Sequence, residues 1–169
     1  MKAKFFMTSK HFEKQTPKDF GLVKIDVDLY IRLSDNSKWK PRNLCDFGWG
    51  HEMGFYRLPK LFYEDLVTVV MSENSEDDKY YAAAVLLTDY PEQILSTCLK
   101  IIKSGELAKH LPLFELLQLD KVRNRSNTTE ISYTQIEDSY KKWVFVSEEY
   151  RAYLQKYQLK QHFSWQLKI

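Results

Sequence analysis

The sequence predicts an α+β fold, predominantly helical, with stacked antiparallel helical hairpins and a small sheet formed by the N-terminal and C-terminal strands. Three observations predict it. Residues 22–33 alternate apolar and polar, with Val23, Ile25, Val27, Leu29, Ile31 and Leu33 on one parity. Residues 163–169 alternate again, with Phe163, Trp165, Leu167 and Ile169 on one parity. Between them, from Pro59 to Leu119, apolar residues recur three and four apart. Side chains alternate faces in a strand and recur every 3.6 residues in a helix, so the first two segments read as half-buried strands and the third as helices.

The elements follow in order. The strand at 22–33 would turn its Val/Ile/Leu parity to the core, and a further strand is expected at 4–8. Cys45–Gly54 holds three of the five glycines and reads as an irregular loop. Pro59 can open a helix, because proline at the first helical position loses no hydrogen bond. Phe62, Tyr63, Leu66, Val67, Val69 and Val70 then give it an apolar face. Ser75 and Asp78 form a cap for a second helix at about 77–90, apolar nearly all round and so deeply buried. Pro91 opens a third helix and Gly105 closes it. A fourth stretch runs from Glu106 to Leu119, divided by Pro112. Residues 121–130 are polar and read as a loop. Ser132 with Gln135 caps a last helical region over 133–160, either one helix or two with a bend at Val144-Phe145-Val146. The chain is expected to be a single domain over 1–169, comprising a strand and loop region (1–57), two helical hairpins (58–119), and helices with the C-terminal strand (130–169).

The helices repeat at a shift of 32 residues: Pro59 falls on Pro91, Phe62 on Ile94, Leu66 on Cys98 and Val70 on Ile102. With the run Tyr80-Tyr-Ala-Ala-Ala-Val-Leu-Leu, in which a small-residue helix precedes a proline-initiated partner, residues 58–119 resemble a HEAT-like helical hairpin repeat. The resemblance implies a packing style and no activity.

Composition bounds the function. The chain has 169 residues and net charge +2, enough length for a full core without disulfide or metal staples. Cys45 and Cys98 form no framework, and no segment reads as a secretory signal or a membrane span. A cytoplasmic protein is expected, without cofactor, metal site or membrane association. Residues 1–60 carry 12 basic and 7 acidic side chains, whereas residues 61–80 carry 1 and 6. No segment is basic enough for a nucleic-acid arm. Lys38-Trp39-Lys40-Pro41-Arg42 could stack a base beside phosphates, but the small net charge makes nucleic acid the lesser reading.

No catalytic signature is complete. His51-Glu52 lacks the second histidine of a zinc-protease helix, and Asp46-Phe-Gly48 lacks the rest of a kinase. If the chain is an enzyme, Cys45 as nucleophile with His51 and Glu52 for proton transfer is the available set. Size, aromatic richness (10 Phe, 11 Tyr and 4 Trp) and the missing catalytic signature make the chain resemble small bacterial toxin-neutralising immunity proteins. That resemblance implies a non-catalytic protein that binds a protein partner, a toxin domain, and occludes its active site. Exposed aromatic and acidic residues suit such a face. Tyr63, Glu73, Asp77, Asp78 and Tyr81 are the candidates around the second helix, with Trp39 and Trp49 near the glycine-rich loop.

Overall fold

The computed structural model describes residues 4–8, 16–46, 51–72, 75–121 and 132–166. The fold is α+β and mostly helical. Five strands precede five helices: β1 (Phe6–Thr8), β2 (Leu22–Asp26), β3 (Leu29–Arg32), β4 (Lys38–Asp46), β5 (His51–Arg57), then α1 (Tyr63–Met71), α2 (Glu76–Asp89), α3 (Pro91–Ser104), α4 (Leu111–Leu116) and α5 (Tyr133–Gln166). They divide into two compact units, 1–86 and 87–169.

The first unit is built on one antiparallel sheet in the order β1-β5-β4-β3-β2. Two expectations change here. The single strand at 22–33 is a hairpin, because Val27 and Asp28 form its turn and Val23 pairs with Ile31. The loop at 45–54 is largely ladder, with Cys45 opposite Glu52 and Asp46 opposite His51; residues 47–50, including Trp49, lie outside the described residues. Both corrections have one cause. Alternation marks a strand but cannot mark a two-residue turn inside a continuous parity, and glycine marks freedom without forbidding the ladder.

Ladder partners share a face of a sheet. One face carries Met7, Leu22, Tyr30, Trp39 and Phe55, which cluster with Phe20 from a single 3-10 turn (Pro17–Phe20). Phe55 meets Tyr30 and Phe20 edge-on, at centroid distances of 5.0 and 6.2 Å. The other face carries Phe6, Val23, Ile31, Lys38, Lys40, Arg42 and Tyr56. Toward the β1 edge, α1 and α2 cover this second face. Phe6 lies 6.3 Å from the Tyr81 ring, and a narrow cleft there is lined by Phe6, Arg42, Tyr56, Leu66 and Val85.

The proline-initiated first helix starts later than expected. The Leu58 N–H still donates to the Lys38 carbonyl, so the ladder runs on to Leu58 and the chain must turn before α1 begins at Tyr63. Leu66, Val69 and Val70 are its buried stripe. α2 starts as expected from the Ser75–Asp78 pair: the Asp78 N–H donates to Ser75 Oγ, and the Ser75 hydroxyl donates to Asp78 Oδ2 at 2.9 Å.

In the second unit, α3 begins at Pro91 and ends at Gly105. Gly105 takes φ 71, while the Glu106 N–H reaches back to the Ile101 carbonyl. Ile94, Leu95, Cys98 and Ile101 form its buried stripe. The stretch after Glu106 is divided as expected, into a 3-10 turn (Leu107–His110) and α4, with Pro112 in the first turn of α4.

The expected C-terminal strand is not formed. α5 continues through Phe163 and Trp165 to Gln166, and residues 167–169 lie outside the described residues. α5 also runs unbroken through 144–146, one helix rather than two. Extending an existing helix fixes one residue per new hydrogen bond, whereas a strand needs a partner. Every strand among the described residues therefore lies before Leu58. Ser139, Trp143, Val146, Ser147 and Tyr150 recur at helical spacing and are buried. They pack toward α3 and α4: the Ser139 hydroxyl donates to Glu92 Oε1 at 3.0 Å, and Tyr150 lies 5.4 Å from Phe114.

Candidate functional site: the open half of the sheet

The sheet buries the opposite face from the one its hydropathy suggests. Leu22 is buried, while its neighbour Val23 is 43% exposed. Ile25 is 52% exposed, and Val27 and Leu33 more so. The reason is Trp39. This ring is the largest fully buried side chain, and it pairs with Tyr30, which pairs with Lys24. The core forms around the bulky ring, and the aliphatic parity of the hairpin is left on the other side. Burying an indole removes more apolar area than burying a valine.

Trp39 is held by a polar chain. Its indole N–H donates to Ser37 Oγ at 2.7 Å, and the Ser37 hydroxyl donates to Asp35 Oδ1. That hydroxyl, followed by the Ser37 backbone N–H, holds the Asp35 carboxyl below its ordinary range. The β3–β4 turn and the core ring are thereby tied together, and the exposed face above them is fixed in place.

Strand alternation then sorts the cationic run. Lys38 and Lys40 fall on the face opposite Trp39, whereas Arg42, two residues further on, lines the cleft under α1 and α2. Val23 and Ile31 stand beside Lys38 across β2 and β3. The open half is thus a small aliphatic patch bordered by Lys38 and Lys40. Its acidic neighbours at the hairpin tip are Asp26 and Asp28, both exposed.

β2 is also a sheet edge. The Leu33 N–H donates to the Gly21 carbonyl at 3.1 Å, and antiparallel alternation then points the backbone groups of Leu22 and Lys24 outward. No described strand pairs with them. A bulge between Lys24 and Asp26 and the charge of Lys24 shorten that edge, both devices that discourage strand addition. The face, more than the edge, is the available surface.

The residues singled out from sequence are placed as follows. Trp39 (0% exposed), Tyr81 and Asp78 are buried in the first unit. Asp78 accepts the Phe5 and Phe6 amides, each at 2.9 Å. Tyr63 and Asp77 are half-buried, at the starts of α1 and α2. Glu73 and Trp49 lie outside the described residues. Cys45, His51 and Glu52 are known as ladder positions, Cys45 opposite Glu52 and His51 opposite Asp46. Among the described residues no three His, Cys, Asp or Glu side chains come close enough to hold a metal ion, and no helix is long and apolar enough to cross a membrane. Sequence reading missed Val23 and Ile25 as surface residues and Ile31 as half-buried. The signal that could have found them is the indole at position 39, which competes with them for the core.

No protein-family model matches this sequence, no curated protein matches it, and no solved structure matches its fold.

Proposed function

We propose that the chain is a non-catalytic protein-binding protein that docks its partner on the open half of the sheet. One observation carries this reading: Val23, which pairs with Ile31, and Ile25 are exposed although the same sheet has a well-packed opposite face. Clustered exposed aliphatic residues on an ordered surface mark interaction sites, whereas singly scattered ones do not. The hydrogen-bonded Asp35–Ser37–Trp39 chain supports the reading further, since a pre-ordered face loses little entropy on binding. Neutralising a toxin domain by covering its active site, the role implied by the likeness to immunity proteins, would use this same face.

The test is site-specific photo-crosslinking in the source cells, with the reactive side chain at Val23, at Lys38, and at Lys100 on α3 as a control. A discrete protein adduct at 23 and 38, absent at 100 and lost on adding Ile31→Asp, is expected. Equal adducts at all three positions, or none at 23 and 38, would refute docking on this face.

A further inference from the structure

Resting on that reading, we infer that the partner presents an acidic protein segment to the open face. The ladder places Lys38 and Lys40 at successive positions of one face of β4, about 6.6 Å apart along the strand. Val23 and Ile31 lie directly beside the first of them. A partner must therefore satisfy two neighbouring positive charges and an aliphatic strip at once. Carboxylates spaced along an extended or helical segment, with aliphatic side chains between them, do both. Charge complementarity of this kind speeds association and fixes register.

Two other occupants fit less well. A single-stranded nucleic acid would find the cations but needs rings on which to stack its bases. The ring inside the cationic run, Trp39, is fully buried on the opposite face, and the open patch beside Lys38 is aliphatic. A second copy of this chain, docked about a two-fold axis, would set the same surface against itself. An axis passing through the lysines would set Lys38 and Lys40 against their own copies, and like charges brought together select against a partner.

The experiment is an NMR titration of the full chain, isotope-labelled, with poly-L-glutamate as the acidic chain and with a thymidine oligonucleotide in parallel. Poly-L-glutamate is expected to shift the amide signals of Val23, Ile31, Lys38 and Lys40. Affinity should fall by about tenfold in Lys38→Glu/Lys40→Glu and stay unchanged in the α3 control Lys100→Glu/Lys103→Glu. Absence of shifts, shifts centred elsewhere, or an equal loss in the control would overturn the inference. Tighter binding of the oligonucleotide at the same residues would assign the face to nucleic acid instead. Movement of these signals on dilution of the protein alone would assign it to self-association. If poly-L-glutamate fails while crosslinking at Val23 persists, the charge assignment falls and the docking surface stands; if both fail, so does the docking surface.

Discussion

The backbone N–H of Phe6 donates to Oδ1 of Asp78 at 2.9 Å, joining β1 to the first turn of α2 across 72 residues. The Phe5 N–H shares the same oxygen, and the other carboxylate oxygen accepts the Ser75 hydroxyl. The carboxylate is 2% exposed, so these donors replace the water it has lost. An acidic residue in a charged run thus acts as an internal clasp between the edge of the sheet and a helix N-terminus, where negative charge is also favoured by the helix dipole.

Removing the clasp leaves two amides without their acceptor. Asp78→Ala should cost about 3 kcal/mol in denaturant unfolding, the scale for losing a hydrogen-bonded buried carboxylate. Asp78→Asn keeps an acceptor oxygen and should cost less. Hydrogen exchange at Phe5 and Phe6 should quicken in both variants. Unchanged exchange at those amides would show that β1 is held by its ladder to β5 alone.

Ser37 is expected to matter through Trp39. Ser37→Ala removes the acceptor of a buried indole N–H, and an unsatisfied buried donor costs about 2 kcal/mol. Equilibrium unfolding measures the loss. Stability equal to that of the unaltered chain would mean that the indole finds another acceptor.

The same substitution should move Asp35. Its carboxyl is lowered chiefly by the Ser37 hydroxyl and next by the Ser37 amide. A lowered folded-state value contributes stability that is present above the ordinary carboxylate range and is lost as the pH falls through the lowered value. Ser37→Ala should raise the Asp35 midpoint toward the ordinary range in an NMR titration. Asp19, held low by the Thr16 amide and hydroxyl in the separate 3-10 turn, should not move.

Tyr150 gives the alkaline counterpart. Burial first, then the charges of Glu115 and Asp120, push its phenol up to about 12. An unfolded tyrosine ionises near 10, so the unfolded chain loses this proton first. The contribution is therefore complete below pH about 10 and is lost as the pH rises from there through about 12. Tyr150→Phe should flatten that part of the stability profile. An identical alkaline slope in the variant would place the loss at another group.

Much of the fold was legible because its signals are local. Ser75 with Asp78, Ser132 with Gln135, Pro91 and Gly105 all stand where their capping chemistry puts them. What was not legible depends on competition between distant residues. Nothing local tells that Trp39 and Leu22 will take the core and leave Val23 and Ile25 outside. Nor does the 163–169 alternation reveal that residues 163–166 extend α5. Of the candidate site, the cationic run was visible, but its split by strand alternation was masked by the ring within it. Asp78 read as surface charge because the Phe5 and Phe6 amides that bury it are more than 70 residues away.

The surface itself should be energetically quiet. Val23→Thr and Ile25→Thr are expected to change stability by no more than about 0.5 kcal/mol, as exposed positions do. Leu22→Ala should cost about 3 kcal/mol, as buried leucines do. Similar losses at positions 22 and 23 would mean that both faces are covered.

Thiol labelling at adjacent positions decides most directly which face of the sheet is open, and with it whether the docking surface exists. In a Cys45→Ser/Cys98→Ala background, Val23→Cys should react with a maleimide at close to the rate of a free thiol. Leu22→Cys should react only as fast as the chain unfolds. Protection at 23 with rapid labelling at 22 would contradict the placement of the open face and remove the surface on which the proposed function rests.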